Sequence, residues 1–119
     1  MTARDTARVA ADASIDKLGE DVVLLNLEGH SSVADYFVIV TAGSTVHARA
    51  IAEEVAARLK EAGERSHHVE GVEGGSWILL DYVDVVVHIL LGDVRQFYGL
   101  ERLWGDMPHE QIQEPGVPG

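Results

Sequence analysis

A His-His-Val-Glu segment is the first candidate for chemistry, because imidazole and carboxylate groups are common metal ligands. His67, His68 and Glu70 lie within four residues of one another. In a β-strand adjacent side chains point to opposite faces, so only His68 and Glu70 can converge on one ion. Two ligands do not complete a zinc site, and no further ligand occurs at a recognisable spacing. The pattern therefore predicts surface polar residues and no metal site.

The Gly43-Ser44 pair follows an apolar segment of strand length and precedes a helical pattern. This is the setting of a phosphate-binding turn, and it is similar to the turn that opens the nucleotidyltransferase active site. That chemistry needs two carboxylates two residues apart on one strand, so that both bind the same Mg²⁺. No predicted strand contains Asp-x-Asp or Asp-x-Glu. We therefore interpret Ser44 as a helix N-cap. A nucleotide-binding enzyme that uses the Gly43-Ser44 turn is the alternative hypothesis.

His88 lies within the apolar run 85–91 (VVVHILL). A lone histidine in a buried strand is usually a core residue with its hydrogen bonds satisfied. A general base would need a partnered nucleophile, and no spacing identifies one. The chain also contains no cysteine. The residues alone therefore identify no catalytic and no cofactor-binding residue, and they leave an acyl or phosphoryl hydrolase open. The family resemblance described below is what implies that the protein is not an enzyme.

A tryptophan among acidic residues is the feature that most favours a function. In the segment 77–81 (WILLD), strand alternation places Trp77 and Asp81 on one face. If the other face is buried, these two side chains emerge near Glu70 and Glu73. An exposed tryptophan surrounded by acids is typical of a binding hot spot for a basic partner. Tyr98, in the helical pattern that follows, would extend the same surface.

The charge balance favours the same class of partner. Twenty acidic residues against nine Lys and Arg give a net charge of −11. Proteins that hold nucleic acid through its phosphates need a basic surface, so direct nucleic-acid binding is disfavoured. No Lys or Arg occurs between Arg65 and Arg95. We expect a basic protein partner.

The chain of 119 residues, 46% of them apolar, predicts one α/β domain over residues 1–105. Its periodicity predicts the order helix, two strands, helix, three strands, helix, with the last helix over 93–104. The first helix has an alanine-rich stripe that we expect to pack closely or to exchange with a partner. Residues 106–119 contain all three prolines, and we expect them to be unstructured. No targeting segment or membrane-spanning run is visible, which favours the cytoplasm.

Four segments in order and at matching spacing resemble the ribosomal silencing factor family, also called the Iojap-like or RsfS family. The resemblance covers residues 21–104. The segments that carry it are residues 32–39 (SVADYFVI), Glu70-Gly71 with residues 77–81 (WILLD), residues 84–88 (DVVVH), and residues 95–104 (RQFYGLERLW). The family commonly has glycine at the position of Val83.

The resemblance implies a mixed, mainly five-stranded sheet flanked by helices, similar in shape to nucleotidyltransferases but without their catalytic carboxylates. It also implies that the protein binds the large ribosomal subunit at the intersubunit face, through the fourteenth protein of the large-subunit series (uL14). Small-subunit joining would then be blocked sterically, and translation repressed under nutrient limitation or in stationary phase. The resemblance further implies a homodimer when free.

The residues expected at the partner surface lie on one strand, the loop before it and the following helix. We expect Trp77 and Tyr98 to be desolvated anchors, with Leu100 beside them on the same helix. Acidic groups would pair with Arg or Lys of the ribosomal protein. They are Glu70, Glu73 and Asp81.

Overall fold

The computed structural model describes residues 1–99, 102 and 107–112. Within them, the chain forms three helices and six strands. They are α1 (Ala3–Asp16), β1 (Glu20–Asn26), β2 (Tyr36–Ala42), α2 (Thr45–Glu61), β3 (His68–Glu70), β4 (Trp77–Asp81), β5 (Val85–Leu91), α3 (Gly92–Tyr98) and β6 (His109–Gln111). None of these helices is long and apolar enough to cross a membrane.

The strands form one mixed sheet in the order β3-β4-β5-β2-β1-β6. Strands β2 and β5 are parallel, and every other neighbouring pair is antiparallel. The predicted mixed α/β fold is therefore confirmed. The sheet has six strands where five were expected, because β6 joins it at the β1 edge.

Helices α1 and α2 cover one face of the sheet and enclose the main core. The alanines of α1 are small enough to let the helix approach its neighbours closely, and Ala7, Ala10, Ala11 and Ala13 are fully buried. The alanine stripe thus packs within the chain, the first of the two outcomes expected for it. Helix α1 begins with a capping box, since Thr2 and Asp5 each accept from the other's backbone N–H.

The connection after α1 contains a glycine, Gly19, that is not the left-handed residue at the helix end. Leu18 has the positive φ of 63°. Gly19 is required for space instead, because a Cβ there would lie 2.6 Å from the Val40 side chain. Position 19 therefore has room only for glycine, because α1 approaches the sheet closely there.

The segment after residue 105 was expected to be unstructured, but part of it pairs with the sheet. Strand β6 is antiparallel to β1, and the Ile112 N–H donates to the Val22 carbonyl oxygen. Ile112 is only 6% exposed and belongs to the main core. The expectation is wrong for residues 107–112 because the Ile112 side chain packs in the main core and the backbone of β1 is available for pairing at the sheet edge. Residues 113–119 lie outside the described residues.

Helix α3 is shorter than the predicted helix over 93–104. It ends at Tyr98, and Gly99 follows with a left-handed φ of 61° that closes the helix C-terminus. The structure leaves Phe97 exposed on this helix and buries Arg95. The Arg95 Nη1 donates to the Asp21 carbonyl oxygen and to the Thr41 hydroxyl.

Candidate partner-binding site

The sheet face opposite α1 and α2 carries a second, smaller apolar cluster. It consists of Leu25, Leu27, Ile39 and Leu90, with Phe37, Trp77, Val94 and Met107 packed against it. Alternation along the strands produces this face, because Ile78 and Leu80 point into the main core and leave Trp77, Leu79 and Asp81 on the other side. The predicted facing of the segment 77–81 is confirmed.

Trp77 is half-buried and lies at the centre of a row of aromatic rings, which we call the aromatic face: Phe37, His88, Trp77, Tyr98 and Phe97. The ring centroids of Trp77 and Tyr98 are 5.0 Å apart in an edge-to-face arrangement. Those of Tyr98 and Phe97 are 5.1 Å apart. On the other side, the Trp77 ring lies 6.0 Å from the His88 ring. The two predicted anchors, Trp77 and Tyr98, are therefore in direct contact.

His88 lies on the central strand β5 and contacts both Trp77 and Phe37. Its Nδ1 accepts a hydrogen bond of 3.2 Å from the Trp77 indole Nε1–H, and its ring packs edge-on against Phe37 with centroids 4.7 Å apart. Burial lowers the pKa of His88 to about 4, so the imidazole is neutral at physiological pH. Its Nε2 is buried and has no hydrogen-bond partner among the described residues. The expectation of a fully satisfied core histidine is thus met for one ring nitrogen only.

Phe97 is the residue of this face that the sequence reasoning missed. It is 82% exposed and Tyr98 is 59% exposed, although both belong to a helix that packs on the sheet. Val94, which is partly buried, supplies the apolar contact between that helix and the smaller cluster. The available signal was Gly99, a residue typical of a helix C-terminus, which would have shortened the helix predicted over 93–104. Leu100, the other site residue predicted on this helix, lies outside the described residues.

The three predicted acidic residues occupy different positions relative to the aromatic face. Glu70 lines a depression of about 360 Å³ together with Gly71, Trp77 and Leu79. Asp81 is on the same strand face as Trp77, and its Oδ1 accepts from the Val83 N–H. Glu73 is exposed on the loop between β3 and β4 and does not line this depression. Glu70 is therefore the acid that the structure places beside the tryptophan.

The loop between β3 and β4 is held against α2. Arg49 donates to the Val72 carbonyl oxygen at 2.9 Å and to the Glu73 carbonyl oxygen at 2.8 Å. Gly71 has a φ of +81°, and a Cβ there would lie 1.9 Å from the Trp77 carbonyl oxygen. Only glycine fits, so this loop is packed directly against the backbone that carries the tryptophan.

The Gly43-Ser44 turn uses its polar groups within the protein. The Ser44 hydroxyl accepts from the His47 N–H, which confirms the predicted helix cap. The Gly43 N–H donates to His47 Nδ1 at 2.9 Å. The Gly43 N–H is therefore already bonded within the protein and is not available to a phosphate. Among residues 1–99, 102 and 107–112, no three potential metal ligands converge.

Comparison with known proteins identifies one family. A family model described as "Ribosomal silencing factor during starvation" matches residues 1–118. The ribosomal silencing factor of Bacillus subtilis is 42% identical over 108 residues, covering 91% of this chain and 92% of that protein. A mouse protein named "Mitochondrial assembly of ribosomal large subunit protein 1" is 30% identical over 87 residues, covering 71% of this chain and 38% of that protein. A crystal structure from Chromobacterium violaceum has a TM-score of 0.85 and 34% identity, covering 99% of this chain and 95% of that one.

Proposed function

Because the chain belongs to the ribosomal silencing factor family, we propose that its aromatic face binds the large ribosomal subunit and obstructs the docking of the small subunit. The chain acts as an obstacle, and no bond is made or broken. The repression applies when nutrients are limiting, in keeping with the starvation named in the family description. Its target would place the protein in the cytoplasm.

The observation that supports this proposal best is the exposure of Phe97 and Tyr98 directly beside the half-buried Trp77. Large apolar side chains in contact with one another and open to water are typical of a protein-binding surface. Aromatic anchors at the centre of such a surface supply most of the binding free energy. Their ring contacts hold them in place before binding, which reduces the entropy lost on association.

Charge supports a basic partner for this face. Strands β3, β4 and β5 and the loops between them contain no Lys or Arg, whereas Glu70, Glu73 and Asp81 lie there. Glu70 is beside Trp77, and one of its carboxylate oxygens is 2.8 Å from His68 Nε2. Its other oxygen can pair with a cation that approaches the indole. Complementary charge would raise the association rate and would weaken with added salt. A cationic patch on a ribosomal protein fits this surface better than bare RNA phosphates do.

We infer that the partner is the fourteenth protein of the large-subunit series, uL14, at the face where the small subunit docks. Two points support this assignment: the family resemblance of the segments 77–81 and 95–104, and a mouse relative whose name refers to assembly of the ribosomal large subunit. A 119-residue domain bound there would occupy volume that the small subunit needs.

We further propose that the free chain forms a homodimer. Because the alanines of α1 are buried inside the chain, that helix does not offer its stripe to a second copy. The aromatic face is the apolar surface that we propose for self-association. Sedimentation equilibrium of the parent and of Phe97→Ala tests this, since the substitution would weaken the dimer if the face is used. Unchanged association in the variant would contradict it.

The function is tested by a subunit-joining assay. Purified large subunits are incubated with the parent chain or with Trp77→Ala, small subunits are added, and joined particles are separated on a sucrose gradient. We expect the parent to reduce joining in proportion to its concentration. Loss of an anchoring tryptophan costs about 2–4 kcal/mol of binding free energy, so the variant should need roughly 30 to 1,000 times more protein.

Val46→Ala is the matched control, because Val46 is an exposed apolar residue on α2, on the other side of the sheet. It should inhibit joining as the parent does. Equal inhibition by folded Trp77→Ala and parent would mean that the aromatic face is not the binding surface. No inhibition by the parent at any concentration would contradict the proposed function itself. Nucleotide-dependent turnover with Mg²⁺ would favour the alternative enzyme.

A further inference from the structure

We propose that His88 is a positioning residue for partner binding: its Nδ1 holds the Trp77 indole in the orientation that the partner contacts. This inference rests on the proposed function of the aromatic face. It assigns a role to a partly buried residue that the partner itself need not touch.

The sheet register shows why Trp77 needs such a support. Trp77 is paired across the strands with Leu90, whereas His88 is paired with Leu79. The indole therefore does not lie opposite the imidazole and must lean along β5 to reach it. It does so, because its Nε1–H donates to His88 Nδ1 over 3.2 Å. A half-buried indole N–H needs an acceptor, and this bond fixes which way the ring points.

The protonation state of the imidazole leaves a buried N–H donor unpaired. Packing alone therefore does not explain a histidine at this position. Since Nδ1 accepts from Trp77, the imidazole proton must be on Nε2. That Nε2 is buried without a partner among the described residues. A buried donor left unpaired lowers stability, and an apolar side chain at this position would avoid that loss. The acceptor for Trp77 is what an apolar side chain could not supply.

Two variants separate the acceptor from the packing. Leucine and asparagine have nearly the same size and shape, and asparagine Oδ1 can occupy the place of the imidazole Nδ1. His88→Leu removes both the acceptor and the unpaired donor. His88→Asn keeps an acceptor for Trp77. Each is made in a Trp104→Phe background, so that fluorescence reports Trp77 alone, and each is measured for urea unfolding, large-subunit affinity and Trp77 emission.

We expect His88→Leu to keep its stability and to lose affinity. Because Trp77 is only half-buried, its indole can turn the N–H to water when the acceptor is gone. The variant should therefore be about as stable as the parent, yet bind large subunits about fivefold more weakly, the equivalent of one net hydrogen bond. Its Trp77 fluorescence should show a shifted emission maximum and lower anisotropy. His88→Asn should be less stable than His88→Leu, but should bind within about twofold of the parent.

The outcomes that overturn the inference are distinct from those that overturn the proposed function. If His88→Leu binds as tightly as the parent, or if His88→Asn loses as much affinity as His88→Leu, His88 does not position the binding residue. If Trp77 emission and anisotropy are the same in all three proteins, the indole is held by something else. Failure of the parent to bind large subunits contradicts the function alone, because the fluorescence comparison still decides the positioning role.

Discussion

Truncation of Phe97 should weaken partner binding and leave folding unchanged. The side chain is 82% exposed, so Phe97→Ala removes little that the folded chain buries. An aromatic side chain can bury roughly 200 Å². About 160 Å² of that is free for a partner to cover, worth on the order of 4 kcal/mol at 25 cal/mol per Å². Ordering of the ring and incomplete coverage reduce this to about 2 kcal/mol, a roughly 30-fold increase in Kd.

Two measurements on the same preparation test this prediction. Urea unfolding should give a free energy of unfolding within about 0.5 kcal/mol of the parent, as for other exposed sites. Titration of labelled protein with large subunits should give the higher Kd. The control is again Val46→Ala, because Val46 is 71% exposed on α2 and should change neither quantity. An unchanged Kd for Phe97→Ala would show that the exposed aromatic residue of α3 is not part of the binding surface.

Three further substitutions test local features of the fold. Val83 has a φ of 72°, so Val83→Gly should relieve backbone strain and raise the free energy of unfolding by about 1 kcal/mol in urea titration; a decrease would contradict the strain. Ile112→Ala should lower the Tm and cost about 2–4 kcal/mol, because the side chain is buried in the main core, and an unchanged Tm would mean that this segment does not pack. Since the unfolded-state pKa of His88 is near 6.5 and burial lowers the native one to about 4, the unfolded state binds more protons between these values. Stability should therefore fall by about 3 kcal/mol as the pH drops from 6.5 to 4, and His88→Leu should remove this component; the same slope in parent and variant would refute the assignment.

The sequence predicted the helices and strands in which buried residues recur at a regular spacing. Alternation identified the facing of Trp77 and Asp81, and the capping residue Ser44 identified the start of α2. Such features are local, since each depends on a few consecutive residues and on one buried face.

Features that depend on distant pairing could not be predicted in the same way. Strand β6 has three exposed residues, and it exists because β1 offers an edge and Ile112 a core contact. The hydrogen bond from Trp77 to His88 depends on the register between β4 and β5, which no short pattern in the sequence reveals. The exposure of Phe97 depends on where α3 ends.

The most direct test of the proposed function is sedimentation with isolated ribosomal subunits at near-physiological salt. Folded protein is mixed with purified large or small subunits and centrifuged through a sucrose cushion, and the pellet is assayed for the chain. We predict that the parent pellets with large subunits and not with small ones, and that Trp77→Ala stays in the supernatant at the same concentration. Properly folded parent protein that remains in the supernatant with large subunits would contradict the account.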